Sequence, residues 1–403
     1  MPPTVTPESV GFSSARLGRI GDWMASYVDA GKLPFAMTLI ARHGEIAYFD
    51  MAGKADVEAG TPIAEDTIFR AYSMTKPITS AAVMMLYEQG LFQLDDPVAD
   101  YIPAFAHMEV DIPGGEIRTE PARRPMTIHH LLTHTSGLTY GFSEESRVGA
   151  LYKEHKADFH PRSGTLEEIC DRLAALPLVC HPGEAWNYSV SIDVLGRLVE
   201  VLSGQTFDRF LEDRIFAPLG MVDTSFQVPA DKLDRMAALY SATDDGAMKR
   251  ADGSTDSRYG RDVTTFSGGG GLLSTIGDYY RFCEALRGGG VLDGERILGR
   301  KTVEFMTRNH LPGDLSALGQ DRFTEYKLDG VGFGLGFAVM LDPAQAQMMT
   351  SPGEYTWGGM ASTTFWVDPV EDLVGVYATQ LMPSGFYSVR RELRALTYQA
   401  LID

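Results

Sequence analysis

Cysteine is nearly missing from this chain: Cys170, Cys180 and Cys283 are the only three in 403 residues, and no CxxC pair occurs. An odd, sparse set of this kind excludes a disulfide scaffold and suits a reducing compartment. Long hydrophobic runs are absent too. With no stretch of 18 apolar residues, no membrane-spanning helix is expected. The opening MPPTVTPESVGFSSARL lacks a basic start and an apolar segment, so no signal peptide is read and a cytoplasmic location is expected. Positive charge is in deficit, with 35 Lys and Arg against 54 Asp and Glu and a formal net charge of −19. Such a balance disfavours nucleic acid and anionic membrane surfaces as partners and favours solubility. The chain is otherwise ordinary in composition, 44% hydrophobic and 22% charged, and long enough for one large or two modest domains.

Periodicity predicts a helix over 13–31, where Leu17, Ile20, Trp23, Met24 and Tyr27 recur at helical spacing behind Ser13 and Ser14. Two strands come next, AMTLIAR and EIAYFDMAG, turned at His43-Gly44. The far end mirrors them with LGFAVMLD, STTFWVD and DLVGVYATQ, closed by a helix over about 387–402. The middle reads as helices at 74–89, 127–133, 165–176, 191–203, 206–214 and 276–287, joined by loops of which 104–126, 139–164 and 240–266 are the longest. The expected fold is α+β. One antiparallel sheet, built from residues 1–100 and 290–403 and flanked by helices, carries an inserted, mostly helical domain over 101–289, with the active site at their interface.

Three stretches carry chemistry. Ser73-Met74-Thr75-Lys76 opens the apolar helix at 74–89, and residues i and i+3 share a helix face, so hydroxyl and amine can meet. The positive end of the helix favours an oxyanion nearby and an uncharged amine. A serine needs such a base, being a weak nucleophile unaided. The motif alone is weak evidence, since about one or two matches arise by chance in a chain this long; here Ser73 is the only serine with Lys at +3. Second, Pro182-Gly183-Glu184-Ala185-Trp186-Asn187-Tyr188 places a tyrosine on an aromatic loop, from which a phenol can relay a proton. Third, Trp357-Gly358-Gly359-Met360 precedes a strand, where glycines let a ligand approach the backbone and a free amide can complete an oxyanion hole.

SMTK, the YSV of WNYSV, and WGG occur in this order, about 115 and 170 residues apart. Together with IFRAYSMTKPITS, LDDPVADYIP, HHLLTHTSGL, PGEAWNYS, SGGGGLLST and WGGMAS, they resemble the serine β-lactamase and penicillin-binding-protein superfamily over nearly the whole chain, and most of all its class C β-lactamase-like esterases, the family VIII carboxylesterases. The resemblance implies Ser73 as acylating nucleophile, Lys76 as general base, Tyr188 as proton relay, and the amides of Ser73 and Met360 as oxyanion hole. It assigns Trp357, Gly358, Gly359 and Val190 to the substrate pocket. Two positions depart from the β-lactamase branch, which carries Asn where this chain has Val190 and Lys or His where it has Trp357. Both replacements remove polar groups that grip β-lactams, in keeping with the esterase branch. The substrates expected are small-molecule carboxylic esters with short to medium acyl groups.

Other signals are discounted. His130 and His134 stand four apart, but Leu131 occupies the place of the Glu that a zinc protease needs, and no third ligand is evident; no metal or organic cofactor is implied. Gly268–Gly271 lacks phosphate-loop spacing and is read as a loop shaping the cleft. Gly141-Phe142-Ser143-Glu144-Glu145 misses the GxSxG elbow at its last position. Three alternatives stay open: a β-lactamase or D-Ala-D-Ala-type peptidase, an acyltransferase to a small-molecule acceptor, and a catalytically silent binding protein on the same fold.

Overall fold

The computed structural model describes residues 2–114, 117–142, 146–253, 257–318 and 328–403. Its main sheet has eight strands: β1 (Phe35–Arg42), β2 (Glu45–Asp56), β3 (Thr61–Pro62), β4 (Val331–Phe333), β5 (Ala338–Met340), β6 (Tyr355–Gly358), β7 (Thr364–Asp368) and β8 (Leu373–Ala378). They lie in the order β4-β5-β6-β7-β8-β1-β2-β3, every neighbouring pair antiparallel. The two ends of the chain therefore meet where β1 pairs β8, with Leu39 opposite Val376. At the β1–β2 hairpin His43 and Gly44 both take positive φ, 56° and 82°. Two such residues in succession make the turn whose twist matches that of the strands it joins.

The helices of the cores beside this sheet include α1 (Ser14–Asp29), α2 (Thr75–Glu88), α3 (Ser191–Ser203), α4 (Ile276–Arg287) and α5 (Val389–Tyr398). Alternate residues of β1 feed two cores. Phe35, Met37 and Leu39 pack into the core that contains α2, α3 and α4, while Ala36 and Ile40 pack under α1 and α5. Both faces being covered, all eight residues of β1 are buried. Truncating one of them, as in Leu39→Ala, costs about 2–5 kcal/mol. In α2 every residue from Thr75 to Leu86 is buried. Gly90, at φ 71°, ends that helix in the left-handed conformation that glycine adopts freely.

The structure differs from the sequence reading in several places. The loop expected over 104–126 contains the strand pair Glu109–Asp111 and Thr119–Pro121, and the loop expected over 139–164 contains the helix Arg147–Glu154. The loop expected over 240–266 contains a strand pair, Leu239–Ala242 with Met248–Asp252, which Leu381–Met382 joins in parallel. The helix expected over 206–214 is α-helical only at Phe207–Leu211 and passes into a π turn, Glu212–Phe216, ahead of Pro218, which has no N–H for the carbonyl four residues back. LGFAVMLD is not one strand: Gly336, at φ 92°, turns the chain so that only β5 remains, paired to the unexpected β4. The last helix is shorter than 387–402. Ser143, Glu144 and Glu145 of the GxSxG near-match lie outside the described residues, as do parts of the three long loops. No helix among the described residues is long and apolar enough to cross a membrane.

Candidate active site

Ser73 stands at the head of α2 on a turn fixed from below. Arg70, 1% exposed, donates to Asp252 at 2.5 Å and to the Ala237 carbonyl at 2.7 Å. The Gln380 side chain clamps its backbone on both sides, at 3.0 and 3.2 Å. Tyr72 then takes φ 47°, a left-handed conformation rare for a residue with a side chain. Strain of this sort persists only where the surroundings hold it, and it is concentrated at functional sites. It turns the chain from strand into a 3-10 turn, Tyr72–Met74, and α2 begins at Thr75.

Lys76 is 1% exposed, so its amine is taken almost wholly out of water. Its Nζ donates to the Gly269 carbonyl at 2.6 Å and to Ser73 Oγ at 3.3 Å. It also lies 4.5 Å from the centroid of the Tyr188 ring and 5.5 Å from that of Tyr140. The expected i, i+3 contact is thus present, and Tyr188 is brought against it. Two residues tie Tyr188 down, one that the sequence reading passed over, Tyr140, and one that it placed in the substrate pocket, Trp357. Tyr140 hydrogen-bonds it, and burial together with the Tyr188 and Asp193 charges pushes the Tyr140 phenol well above its ordinary range. The Trp357 indole donates to the Tyr188 hydroxyl at 3.3 Å, so that residue supplies a polar contact as well as an apolar wall.

At the end of β6, Gly359 touches the Ser73 turn so closely that a Cβ there would lie 2.5 Å from the Ala71 carbonyl. Its carbonyl and that of Thr363 both accept from the buried Arg390, at 2.8 and 2.9 Å. This fixes the approach of Met360, whose backbone amide has no acceptor among the described residues. Ser73, Tyr188, Trp357 and Met360 line one cavity of about 590 Å³, in the range of small-molecule sites. Val190 also lines it but is only 1% exposed, so it shapes the floor and presents little surface.

Arg258 stands on the same cavity wall, exposed. Burial raises the Tyr72 phenol above its ordinary range, and the charges of Arg70 and Arg258 pull against that rise, which places Arg258 within electrostatic reach of the residue before Ser73. Arg162, by contrast, donates to the Arg261 carbonyl at 3.1 Å and is absent from the lining. The histidines are placed otherwise than as ligands. The His130 ring accepts from the Thr127 amide, closing a helix cap. His134 is buried behind Tyr188, ring centroids 4.8 Å apart, and burial and then the charge of Lys76 hold its imidazole well below the usual range. No group of three His, Cys, Asp or Glu among the described residues could hold a metal ion.

Comparison with known proteins places this architecture. The sequence profile of the family described as Beta-lactamase matches residues 20–399. Esterase EstB of Burkholderia gladioli is 34% identical over 353 residues, covering 84% of this chain and 83% of its own. The monacolin J acid methylbutanoyltransferase of Aspergillus terreus is 31% identical over 340 residues, covering 80% and 79%. Among solved structures, EstCE1, described as a hydrolase with promiscuous acyltransferase activity, superposes with a TM-score of 0.80 at 27% identity over 97% of this chain and 99% of its own. The chain belongs to the β-lactamase family, on the side of its family VIII-like serine esterases.

Proposed function

We propose that this protein hydrolyses small-molecule carboxylic esters of short to medium acyl length through an acyl-enzyme on Ser73, with Ser73-Met74-Thr75-Lys76 as its SxxK motif. The observation that carries the reading is the buried Lys76 amine, held between the Gly269 carbonyl and Ser73 Oγ. As Oγ attacks the ester carbonyl, the amine takes its proton and becomes ammonium. The tetrahedral oxyanion faces the amides of Ser73 and Met360. Collapse expels the alkoxide, which Tyr188 protonates, and leaves the acyl group on Ser73. Water then attacks the acyl-enzyme, giving up its proton to the tyrosine–lysine pair, and Ser73 departs with a proton restored.

A fluorophosphonate probe combined with intact-mass and peptide analysis tests the reading. One adduct on the peptide holding Ser73 is expected, and an adduct persisting in Ser73→Ala overturns it. Nitrophenyl butyrate should be turned over in preference to a chromogenic cephalosporin, because Trp357 supplies no cation for a β-lactam carboxylate. A second reading, transfer of the acyl group to an alcohol or amine, is favoured by the aromatic wall of Tyr140, Tyr188 and Trp357 around the acyl site and by the likeness to EstCE1 and the A. terreus transferase. Partition of the acyl-enzyme between water and added alcohol measures it. We read the protein as cytoplasmic, on its three free cysteines.

A further inference from the structure

Asp193 is a buried carboxylate on the first turn of α3, five residues after Tyr188, and no step of the proposed ester hydrolysis uses it. It is 1% exposed, and no Lys or Arg forms an ion pair with it among the described residues. Its Oδ1 accepts from Ser267 Oγ at 2.5 Å and from the Gly269 amide at 2.9 Å. The carbonyl of that same Gly269 accepts from Lys76 Nζ at 2.6 Å. One glycine is therefore held between a carboxylate and the amine that touches Ser73. Only glycine fits, since a Cβ at this position would lie 2.2 Å from Asp193 Oδ2.

The neighbours of Asp193 come from several elements. Lys76 on α2 favours its charged form; Asp158, from the loop before residue 160, opposes it. Its own charge bears on Tyr140 and on Cys170, from the helix Leu166–Ala174. Burial is the largest influence and pushes the carboxyl up to about 6, against Lys76 and the hydrogen bonds from Ser267 and Gly269. Above that pH the fold keeps a charge it would be more stable without. An asparagine would offer the same acceptor oxygen to Ser267 and Gly269 with no charge to bury. A residue kept against stability is expected where function needs it.

We propose that Asp193 is a positioning residue for Lys76: it locks the Gly268–Gly271 loop where the Gly269 carbonyl holds the amine against Ser73, and its negative charge stabilises the ammonium that forms as Ser73 is acylated. The proposal rests on the reading of Lys76 as the base. It separates position from charge, because Asp193→Asn keeps the hydrogen-bond acceptor and removes only the charge, whereas Ser267→Ala loosens the clamp and keeps the charge.

The test measures kcat, KM and their pH dependence on nitrophenyl butyrate, with melting temperatures at pH 5 and pH 8, for wild type, Asp193→Asn, Ser267→Ala and Ser73→Ala. In Asp193→Asn the plateau of kcat should fall about 10- to 100-fold with KM little changed, as a preorganised charge is lost. The acidic limb of the profile should change, because the carboxyl that burial pushes up to about 6 in the wild type no longer titrates. The sign of the stability change is set by the raised carboxyl. Its native state favours the proton, so stability is lost as pH rises from the ordinary carboxyl range to about 6 and is level above it, and removing the charge gains most above about 6 and progressively less below it. Asp193→Asn should therefore melt about 2–4 °C higher than wild type at pH 8 and show a smaller gain at pH 5. Ser267→Ala should lower kcat about threefold, the worth of one hydrogen bond, without moving the limb. An Asp193→Asn enzyme with an unchanged profile and plateau overturns the proposal, as does one less stable than wild type at pH 8. If Asp193→Asn fails to fold, Ser267→Ala decides: an unchanged kcat there rejects the clamp, and a fall at constant KM supports it. Residual activity in Ser73→Ala would instead reject the underlying reading, and so the two failures are distinguishable.

Discussion

The inner end of the cavity and its rim are built on different principles. Inside, Lys76 and Asp193 are almost wholly buried, and the Lys76 amine and Asp193 Oδ1 are engaged by backbone or side chains at 2.5–3.3 Å. At the rim, Arg258 is exposed and its charge has no carboxylate within ion-pair distance among the described residues, and the Met360 side chain is 36% exposed. A group fixed in a dry, low-dielectric setting acts strongly and at one geometry. A group at the rim acts weakly, through water and salt. The inner end should therefore set whether acyl transfer occurs at all, and the rim which ester is preferred.

The largest effects should come from the inner end. Ser73→Ala is expected to lower kcat by about 10⁴-fold or more, the loss seen when a covalent nucleophile is removed and binding remains. Lys76→Ala should lose a comparable share at pH 7. Lys76→Arg should not restore it, because a guanidinium stays protonated and cannot take the serine proton. Substantial activity in Lys76→Ala, measured as nitrophenyl butyrate turnover, would mean that the buried amine is a structural anchor for Gly269 and that the contrast between the two ends has been drawn in the wrong place.

An intermediate effect is expected where the two ends meet. Trp357 lines the cavity and donates to Tyr188 at 3.3 Å. Trp357→Phe keeps an aromatic face and removes the N–H. If the indole holds the proton-relaying hydroxyl in place, kcat should fall about 2- to 10-fold, the worth of one ordinary hydrogen bond, with KM held. A rise in KM at constant kcat would make Trp357 a substrate wall alone, and so a rim residue.

Legibility in the sequence divides along the same causes. Ser73 and Lys76 were legible because i and i+3 at a helix start come together and because their motif stands in order with two others. Tyr188, Trp357 and the glycines were legible because they stand in motifs whose order and spacing are distinctive. Asp193 was missed although it left a signal, an acid set into the apolar run SIDVLGRLVEVL on a helix otherwise buried at Ile192, Val194, Leu195 and Leu198. Tyr140 and Tyr72 left none. One reaches Tyr188 only through tertiary packing, and the other's left-handed backbone is imposed by its surroundings on a residue type that does not ask for it. The central strand β1 was found by its composition, while the three-residue β4, interrupted by Gly332, has too little sequence to announce itself.

The smallest effect belongs to the rim, and it qualifies the expectation of a site for neutral esters. Trp357 stands where relatives that cleave β-lactams carry a cation, yet Arg258 lines the same cavity from a different loop. The net charge of −19 repels an anionic substrate from the molecule as a whole, but that repulsion decays within about 8–10 Å at ordinary salt. A carboxylate inside the cavity therefore meets Arg258 more than the distant surface. An exposed pair of this kind is worth about 0.2–1 kcal/mol, which corresponds to roughly 1.4- to 5-fold in kcat/KM. The measurement is the ratio of kcat/KM for the nitrophenyl monoester of glutaric acid to that for nitrophenyl butyrate, in wild type and in Arg258→Gln, at low and at high salt. The ratio should drop by that factor in Arg258→Gln at low salt, and the difference between the two proteins should shrink at high salt. Turnover of the neutral ester should stay as it was, since Arg258 touches none of the groups that move a proton. A ratio that ignores the substitution would leave Arg258 a surface charge and the cavity a site for neutral esters. A ratio that changes as much at high salt as at low would mean that the guanidinium is drawn out of water when substrate binds, and the rim would then share the dry character of the inner end.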